Sequence, residues 1–303
     1  MLVDTCPERP SVYRGRFAPS PSGPLHFGSL ITALASFIHA KQHHGFWLVR
    51  IEDIDPPREQ AGAANLILKT LEAFGLHWDE NVLYQSQQTD RYNSVLADLA
   101  HQGLTYHCQC TRAKIKQHGG IYQGHCRSLN LAAQTPTLEQ TAIRLINQYG
   151  IDHYHDLIQG QVQCDSLLAK EDFILKRKDG LFAYQLAVVL DDIEQNISHI
   201  IRGCDLLEPT ARQLTFFQTL KQPAPAFGHI PLAVTEQGYK LSKQNKAPAL
   251  DIKNPQPALI AALAFLGQKT PTDLAQASVE EIITWAKTSF NFEQVPKQAE
   301  IML

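Results

Sequence analysis

At 303 residues, with 44% apolar and 19% charged side chains, the chain can bury a real core in one large domain or two modest ones. A net charge of −3 excludes a global basic field for nucleic acid, so any such contact must use local patches. The longest apolar run, Leu30 to Ala40, holds Ser and His and is too short for a bilayer, and the start lacks a secretory signal, so a cytoplasmic location is expected.

Residues 1–11 read as a loose terminus. A short hydrophobic approach, Val12, Tyr13 and Phe17, then meets Ala18-Pro19-Ser20-Pro21-Ser22-Gly23-Pro24, whose prolines and glycine forbid both helix and strand. Leu30, Leu34, Phe37 and Ile38 recur at helical spacing, so a helix starts near Gly28. The turn places His26 at a helix mouth, where the dipole and backbone N–H groups suit phosphate. Taken alone, such a stretch also reads as a plain connecting loop.

Phe46 to Ile51 is strongly β-prone and ends in Glu52-Asp53-Ile54-Asp55-Pro56-Pro57. Strand, helix, strand over about forty residues predicts a parallel sheet with a crossover helix. Ligands sit beyond the strand C-termini of such sheets, which brings the 16–28 loop and the acidic 52–55 loop side by side. Three carboxylates there could hold magnesium, act as a base, or form a solvated turn. A helix is expected from Pro57 to Leu76, stopped by Gly75, and another from about Thr89 to Gly103.

Six cysteines do not read as a disulfide framework, since Cys108, Cys110 and Cys126 crowd together while Cys6, Cys164 and Cys204 are scattered. The crowded three give a zinc signal weaker than a doubled Cys-x-x-Cys. By spacing, the fourth ligand could be His107, His118, Tyr122 or His125, and chemistry alone prefers His125. Arg112, Lys114, Lys116 and Arg127 make the densest basic patch in the chain, one able to track a phosphate backbone. Residues from about Leu129 to Glu139 have linker composition.

Ala142 to Ile146 and Gln161-Val162 read as short strands, and Lys176 to Gly180 as a polar turn. The apolar run Leu181 to Leu190, ended by Asp191-Asp192, is expected to return the chain to the main sheet. Tyr184 within it would ordinarily be a core aromatic. Ile200 to Leu207 carries Arg202-Gly203-Cys204-Asp205-Leu206. A strand-like Leu232-Ala233-Val234 and a turn at Gly238 precede Lys240-Leu241-Ser242-Lys243-Gln244. Short helices are expected over Pro257–Gly267 and Val279–Thr288.

Arg16 to Ser29 resembles the first signature of the class I glutamyl-tRNA synthetases, with Ser29 where many class I enzymes have a second histidine. Arg50 to Asp55, Arg202 to Leu206 and Lys240 to Gln244 are similar to later blocks of the same family, the last being its Lys-Met-Ser-Lys-Ser loop with Leu for Met and Gln for the final Ser. Together these blocks cover roughly residues 13–250. The resemblance implies an α/β Rossmann-like parallel sheet of the class I aminoacyl-tRNA synthetases, with a zinc-bearing insertion, a short helical C-terminal part and no anticodon-binding domain. It divides the chain into 12–104 and 181–250 as halves of the catalytic domain, 105–180 as an insertion contacting the tRNA acceptor end, and 251–303 as a C-terminal subdomain. Only about sixty residues follow the lysine loop, which makes the truncated paralogue of the family the nearest match.

The implied activity is ATP-dependent formation of glutamyl-adenylate and transfer of glutamate to the queuosine base in the anticodon of tRNA(Asp), by a monomer that contacts no membrane. By resemblance, His26 and Lys243 are catalytic. Arg16, Ala18, Ser20, Glu52, Tyr184 and Arg202 would bind L-glutamate. Pro19, His26, Gly28, Ser29, Lys240, Leu241, Ser242 and Lys243 would bind ATP with Mg2+. The family also puts a tyrosine beside its three metal-binding cysteines, so Cys108, Cys110, Tyr122 and Cys126 would hold one structural Zn2+. Physically, a fixed carboxylate at Glu52 suits a substrate ammonium, and Arg16 with Arg202 would favour glutamate over its neutral amide. Three rivals remain open: a truncated enzyme charging tRNA(Glu), a small-molecule nucleotidyltransferase of the same fold, and a non-catalytic RNA-binding paralogue.

Overall fold

The computed structural model describes residues 12–129, 141–236, 239–240 and 248–303. The chain opens with β1 (Arg14–Phe17), α1 (Phe27–Gln42), β2 (Phe46–Ile51), α2 (Ala63–Ala73), β3 (Leu83–Tyr84) and α3 (Thr89–His101). Next come β4 (Thr105–Cys108), α4 (Arg112–Gln117), β5 (Ala142–Leu145), β6 (His153–Asp156), β7 (Gly160–Gln163), α5 (Ser166–Ala169) and β8 (Ile174–Lys176). Then follow α6 (Tyr184–Glu194), β9 (His199–Gly203), α7 (Leu207–Thr219), β10 (Ala226–Ile230), β11 (Leu232–Glu236) and β12 (Tyr239–Lys240). The chain closes with α8 (Gln256–Phe265), α9 (Val279–Ser289) and β13 (Glu300–Met302).

β1 and β2 pair in parallel with Arg14 opposite Phe46, β2 continues to β3, and β9 pairs in parallel with β10. Ser198 joins the two pieces, donating its N–H to Arg14 O at 2.9 Å while its Oγ accepts from Arg14 N–H at 2.8 Å. The strand layer thus runs β3, β2, β1, β9, β10. Gly45 turns the chain from α1 into β2 so close to Tyr13 that an added Cβ would stand 2.5 Å from its carbonyl oxygen. Only glycine allows that approach.

Helix α1 is apolar on nearly every face because it lies between the strands and the pair α8, α9. Trp47 anchors the layer beneath it, fully buried, with its indole N–H donated to Ser36 Oγ at 2.9 Å. A second core gathers α3, α6 and α7 around Leu186, Val189 and Phe216. The antiparallel sheet β4, β5, β8 carries the cysteine segment.

Three expectations change. The apolar run that was to rejoin the sheet is helix α6, and β9 makes the return; residues 186–192 are buried all round, so their continuous hydrophobicity cannot distinguish helix from strand. The helix expected from Pro57 begins only at Ala63, because Pro56 and Pro57 form a 3-10 turn and Gly62 adopts φ +77°. The tail adds β13, parallel to β11, with Leu232 opposite Glu300. Cys164 and Cys204 are buried free thiols.

Candidate active site

The loops following β1, β2 and β9, with the starts of α1 and α6, enclose a cavity of about 760 Å³ at the C-terminal edge of the strand layer. Arg16, Ala18, Pro19, Ser20, His26, Gly28, Ser29, Glu52, Tyr184 and Arg202 all line it, though they span nearly two hundred residues of sequence. A recess of about 320 Å³ adjoins it and shares Ser20, Ser22, Glu52 and Arg58.

Each of these side chains is fixed by a local cause. The proline-rich turn leaves β1 and is tied back where Glu52 N–H donates to Pro19 O at 3.1 Å and Gln60 N–H to Pro21 O at 2.9 Å. His26 is extended (φ −122°, ψ 176°) and caps α1, whose first turn carries no acidic residue to answer the dipole. Tyr184 opens α6 and is 37% exposed toward the cavity, the reverse of a core aromatic.

Beneath the cavity lies a buried charge cluster. Arg16 donates from Nε and Nη2 to the two oxygens of Asp192, at 3.1 and 3.3 Å. Arg50, fully buried on β2, donates from Nη1 to Asp192 Oδ1 at 2.8 Å and to Gln195 Oε1 at 2.9 Å. Its Nη2 stands 3.6 Å from Glu52. Burial lifts the Glu52 carboxyl above its ordinary value, opposed by Arg50 and Arg16. Asp191 accepts from Tyr92 and Gln85 at 2.8 and 2.7 Å and pairs with Arg91.

Arg202 contrasts with Arg16. It is 3% exposed, and among the described residues it forms no ion pair and its Nη1 has no hydrogen-bond partner. The other two nitrogens bond to neutral acceptors. Sequence reasoning singled out Arg16 and Arg202 but missed Arg50, Asp192, Asp156 and His229. The signal available was charge inside otherwise apolar runs, as in Trp47-Leu48-Val49-Arg50-Ile51 and Leu190-Asp191-Asp192.

The three carboxylates after β2 diverge. Glu52 faces the cavity, Asp53 accepts from Ser86 N–H and Oγ at 2.9 and 2.6 Å, and Asp55 pairs with Arg58 and Arg177. Leu241, Ser242 and Lys243 lie outside the described residues, and Lys240 is described as part of β12. The chain beyond that loop returns to the cavity mouth, where Ala249 bridges His26 and Leu250 N–H donates to Leu25 O at 3.0 Å.

Apart from this cavity, the Sγ atoms of Cys108, Cys110 and Cys126 lie within 4.8 Å of one another and could hold a metal ion. Among the described residues no histidine or carboxylate joins them, so His125, favoured by chemistry alone, stands apart. The buried Tyr122 hydroxyl reaches the same corner, accepting from Cys126 N–H at 2.8 Å. Arg144 stacks 3.7 Å over its ring.

Residues 12–300 match the family model for the catalytic domain of class I tRNA synthetases (E and Q). Two curated relatives are named glutamyl-Q tRNA(Asp) synthetase. The one from Colwellia psychrerythraea is 63% identical, over 97% of this chain and 96% of its own length. The one from Photobacterium profundum is 52% identical, over 96% and 92%. Among solved structures, a glutamate tRNA ligase from Elizabethkingia meningosepticum, in complex with its amino acid, is 26% identical with a TM-score of 0.75. The match covers 95% of this chain but 66% of that one.

Proposed function

From the premise that this chain belongs to the class I tRNA synthetase family for E and Q, we propose that it joins glutamate to ATP as glutamyl-adenylate and transfers the glutamyl group to queuosine in the anticodon of tRNA(Asp). The single observation that carries the reading is the cavity that Glu52 shares with Arg16 and Arg202, the latter with a buried Nη1 that has no hydrogen-bond partner among the described residues. An amino acid with a side-chain carboxylate satisfies both ends: its ammonium meets Glu52, and its side chain meets Arg202 with Arg16 beside it. Full-length relatives carrying the glutamyl-Q name give the acceptor.

In this reading ATP lies over the turn at Pro19 to Ser29, with phosphates toward the start of α1 and His26. An oxygen of the glutamate α-carboxylate attacks the α-phosphorus, and the bond to the leaving pyrophosphate breaks. A hydroxyl of the acceptor then attacks the carbonyl carbon and AMP departs. Alignment and fixed positive charge supply the rate, with no protein nucleophile. Lys243 would add its charge to the departing pyrophosphate. Magnesium enters with ATP and neutralises phosphate charge. Zinc, held by Cys108, Cys110, Cys126 and the Tyr122 hydroxyl, would staple the basic segment Arg112 to Arg127 and take no part in chemistry.

The test is to incubate the protein with ATP and radiolabelled glutamate in the presence of tRNA(Asp) with queuosine, tRNA(Asp) without it, or tRNA(Glu). Label on queuosine alone is the expected result; label at the 3′ end of tRNA(Glu) overturns the acceptor assignment.

A further inference from the structure

Asp156 ends β6 and His229 sits on β10, both completely buried and neither engaged by the chemistry above. Asp156 Oδ1 accepts three backbone N–H groups, from Ile158 and Gln159 at 2.9 Å and from His229 at 3.1 Å. Its Oδ2 lies 2.6 Å from His229 Nδ1. A carboxylate offers only acceptors, so Nδ1 carries the imidazole proton and Nε2 presents a lone pair. That lone pair receives Arg202 Nε–H at 3.0 Å. Beside it, Arg202 Nη2 donates to Thr210 Oγ1 at 2.6 Å, which lies 3.2 Å from His229 Nε2, and to Gln213 Oε1 at 2.8 Å.

We propose that Asp156 and His229 act as a positioning pair that aims Arg202 at the substrate side chain while leaving its charge uncancelled, and so set the preference for glutamate. This rests on placing Arg202 in the glutamate pocket. A carboxylate bonded directly to Arg202 would orient it equally well but would offset its charge, as Asp192, shared with Arg50, does in part for Arg16. The imidazole orients the guanidinium with a neutral atom, and the compensating negative charge sits one ring further away. Protonation of His229 would place a donor against a donor. Burial and the nearby Arg202 both oppose it, holding the imidazole below its ordinary value against the pull of Asp156. With Nε and Nη2 committed, Nη1 is the nitrogen left for an incoming carboxylate oxygen. A substrate amide would answer the uncancelled charge poorly.

The decisive variant is Asp156→Asn. Three backbone donors already bind Oδ1, so the amide oxygen must occupy that place and the NH2 must replace Oδ2. The NH2 then donates to Nδ1, the imidazole proton moves to Nε2, and Nε2–H faces Arg202 Nε–H. In pyrophosphate exchange the KM for glutamate should rise roughly 10- to 100-fold, the loss of a charge-assisted orientation, with the KM for ATP unchanged. His229→Leu should match it, and His229→Gln, whose amide oxygen can stand where Nε2 stands, should recover most of the lost affinity. Arg202→Gln is the control for the pocket itself. If it leaves the glutamate KM unchanged, the assignment of Arg202 fails. If it raises that KM while Asp156→Asn does not, the positioning pair alone is overturned. Equal rises in the glutamate and ATP KM values for Asp156→Asn, with a lowered melting temperature, also overturn it in favour of a purely structural role.

Discussion

Arg50 Nη1 and Arg16 Nε converge on one oxygen, Oδ1 of Asp192, at 2.8 and 3.1 Å, in the buried floor of the cavity. Two guanidinium groups therefore share this carboxylate, Arg50 having Glu52 at 3.6 Å and Asp191 at 3.9 Å besides, and the Asp192 pKa is kept below the ordinary value against the cost of burial. Asp192→Ala removes the anion and leaves both cations buried. Breaking such a pair costs about 3–5 kcal/mol, so a large fall in melting temperature is expected. Arg16, freed of its tether, should also weaken glutamate binding. Thermal denaturation with and without glutamate checks both, and a near-native melting temperature would show that the cluster contributes little.

His26 caps α1 at the cavity mouth, close to where the lysine loop rejoins the described chain. His26→Ala should slow glutamate-dependent pyrophosphate exchange by on the order of 100-fold or more, the scale of losing one fixed donor to developing charge. Glutamate binding, for which Glu52 and Arg202 are proposed, should largely survive. Lys243→Ala should behave in the same way. Steady-state exchange kinetics with equilibrium glutamate binding separates the two effects.

Much of this site could be read from the chain because its parts are turns with strong local grammar. Pro19, Pro21, Gly23 and Pro24 forbid regular structure, and the helical spacing of Leu30 to Ile38 fixes where the loop ends. What stayed hidden depends on packing between distant elements. Nothing near Asp156 announces that its carboxylate meets His229, seventy-three residues away. Helix α6 was hidden for a different reason: its residues 186–192, buried on all sides, show neither helical nor strand periodicity. The three-residue strand β13 forms only because β11 offers it an edge.

Cys110 and Cys126 place their sulfurs 3.5 Å apart, with burial and the neighbouring thiols pushing Cys110 up to about 11. A soft dication relieves that crowding by binding the thiolates. Elemental analysis of the purified protein should find about one zinc per chain, the stoichiometry of a four-ligand structural site. Cys126→Ser should lose the metal and lower the melting temperature, while glutamate activation persists because the cavity lies elsewhere. Zinc-free protein with an unchanged melting temperature would sink this assignment.

His39 supplies a pH dependence that starts near neutrality. It is buried on α1 between Tyr13, His43 and His199, with Tyr13 OH 2.5 Å from Nδ1 and the Phe292 ring edge-on at 4.5 Å. Burial first, then the two neighbouring histidines, lower its pKa to about 3. The unfolded chain protonates this residue near pH ~6.5, whereas the folded chain resists down to the depressed value. Its contribution is therefore complete above the unfolded pKa. Stability is lost as pH falls below it, by about 1.4 kcal/mol per pH unit for one withheld proton. His39→Gln keeps an acceptor for Tyr13 but cannot titrate. Urea denaturation at pH 7, 6 and 5 should show a steep decline for the wild-type chain and a slope shallower by about one proton for the variant. Parallel slopes would mean that the imidazole takes up its proton in the folded state as readily as in the unfolded one, and that Tyr13 and the surrounding rings do not hold it neutral.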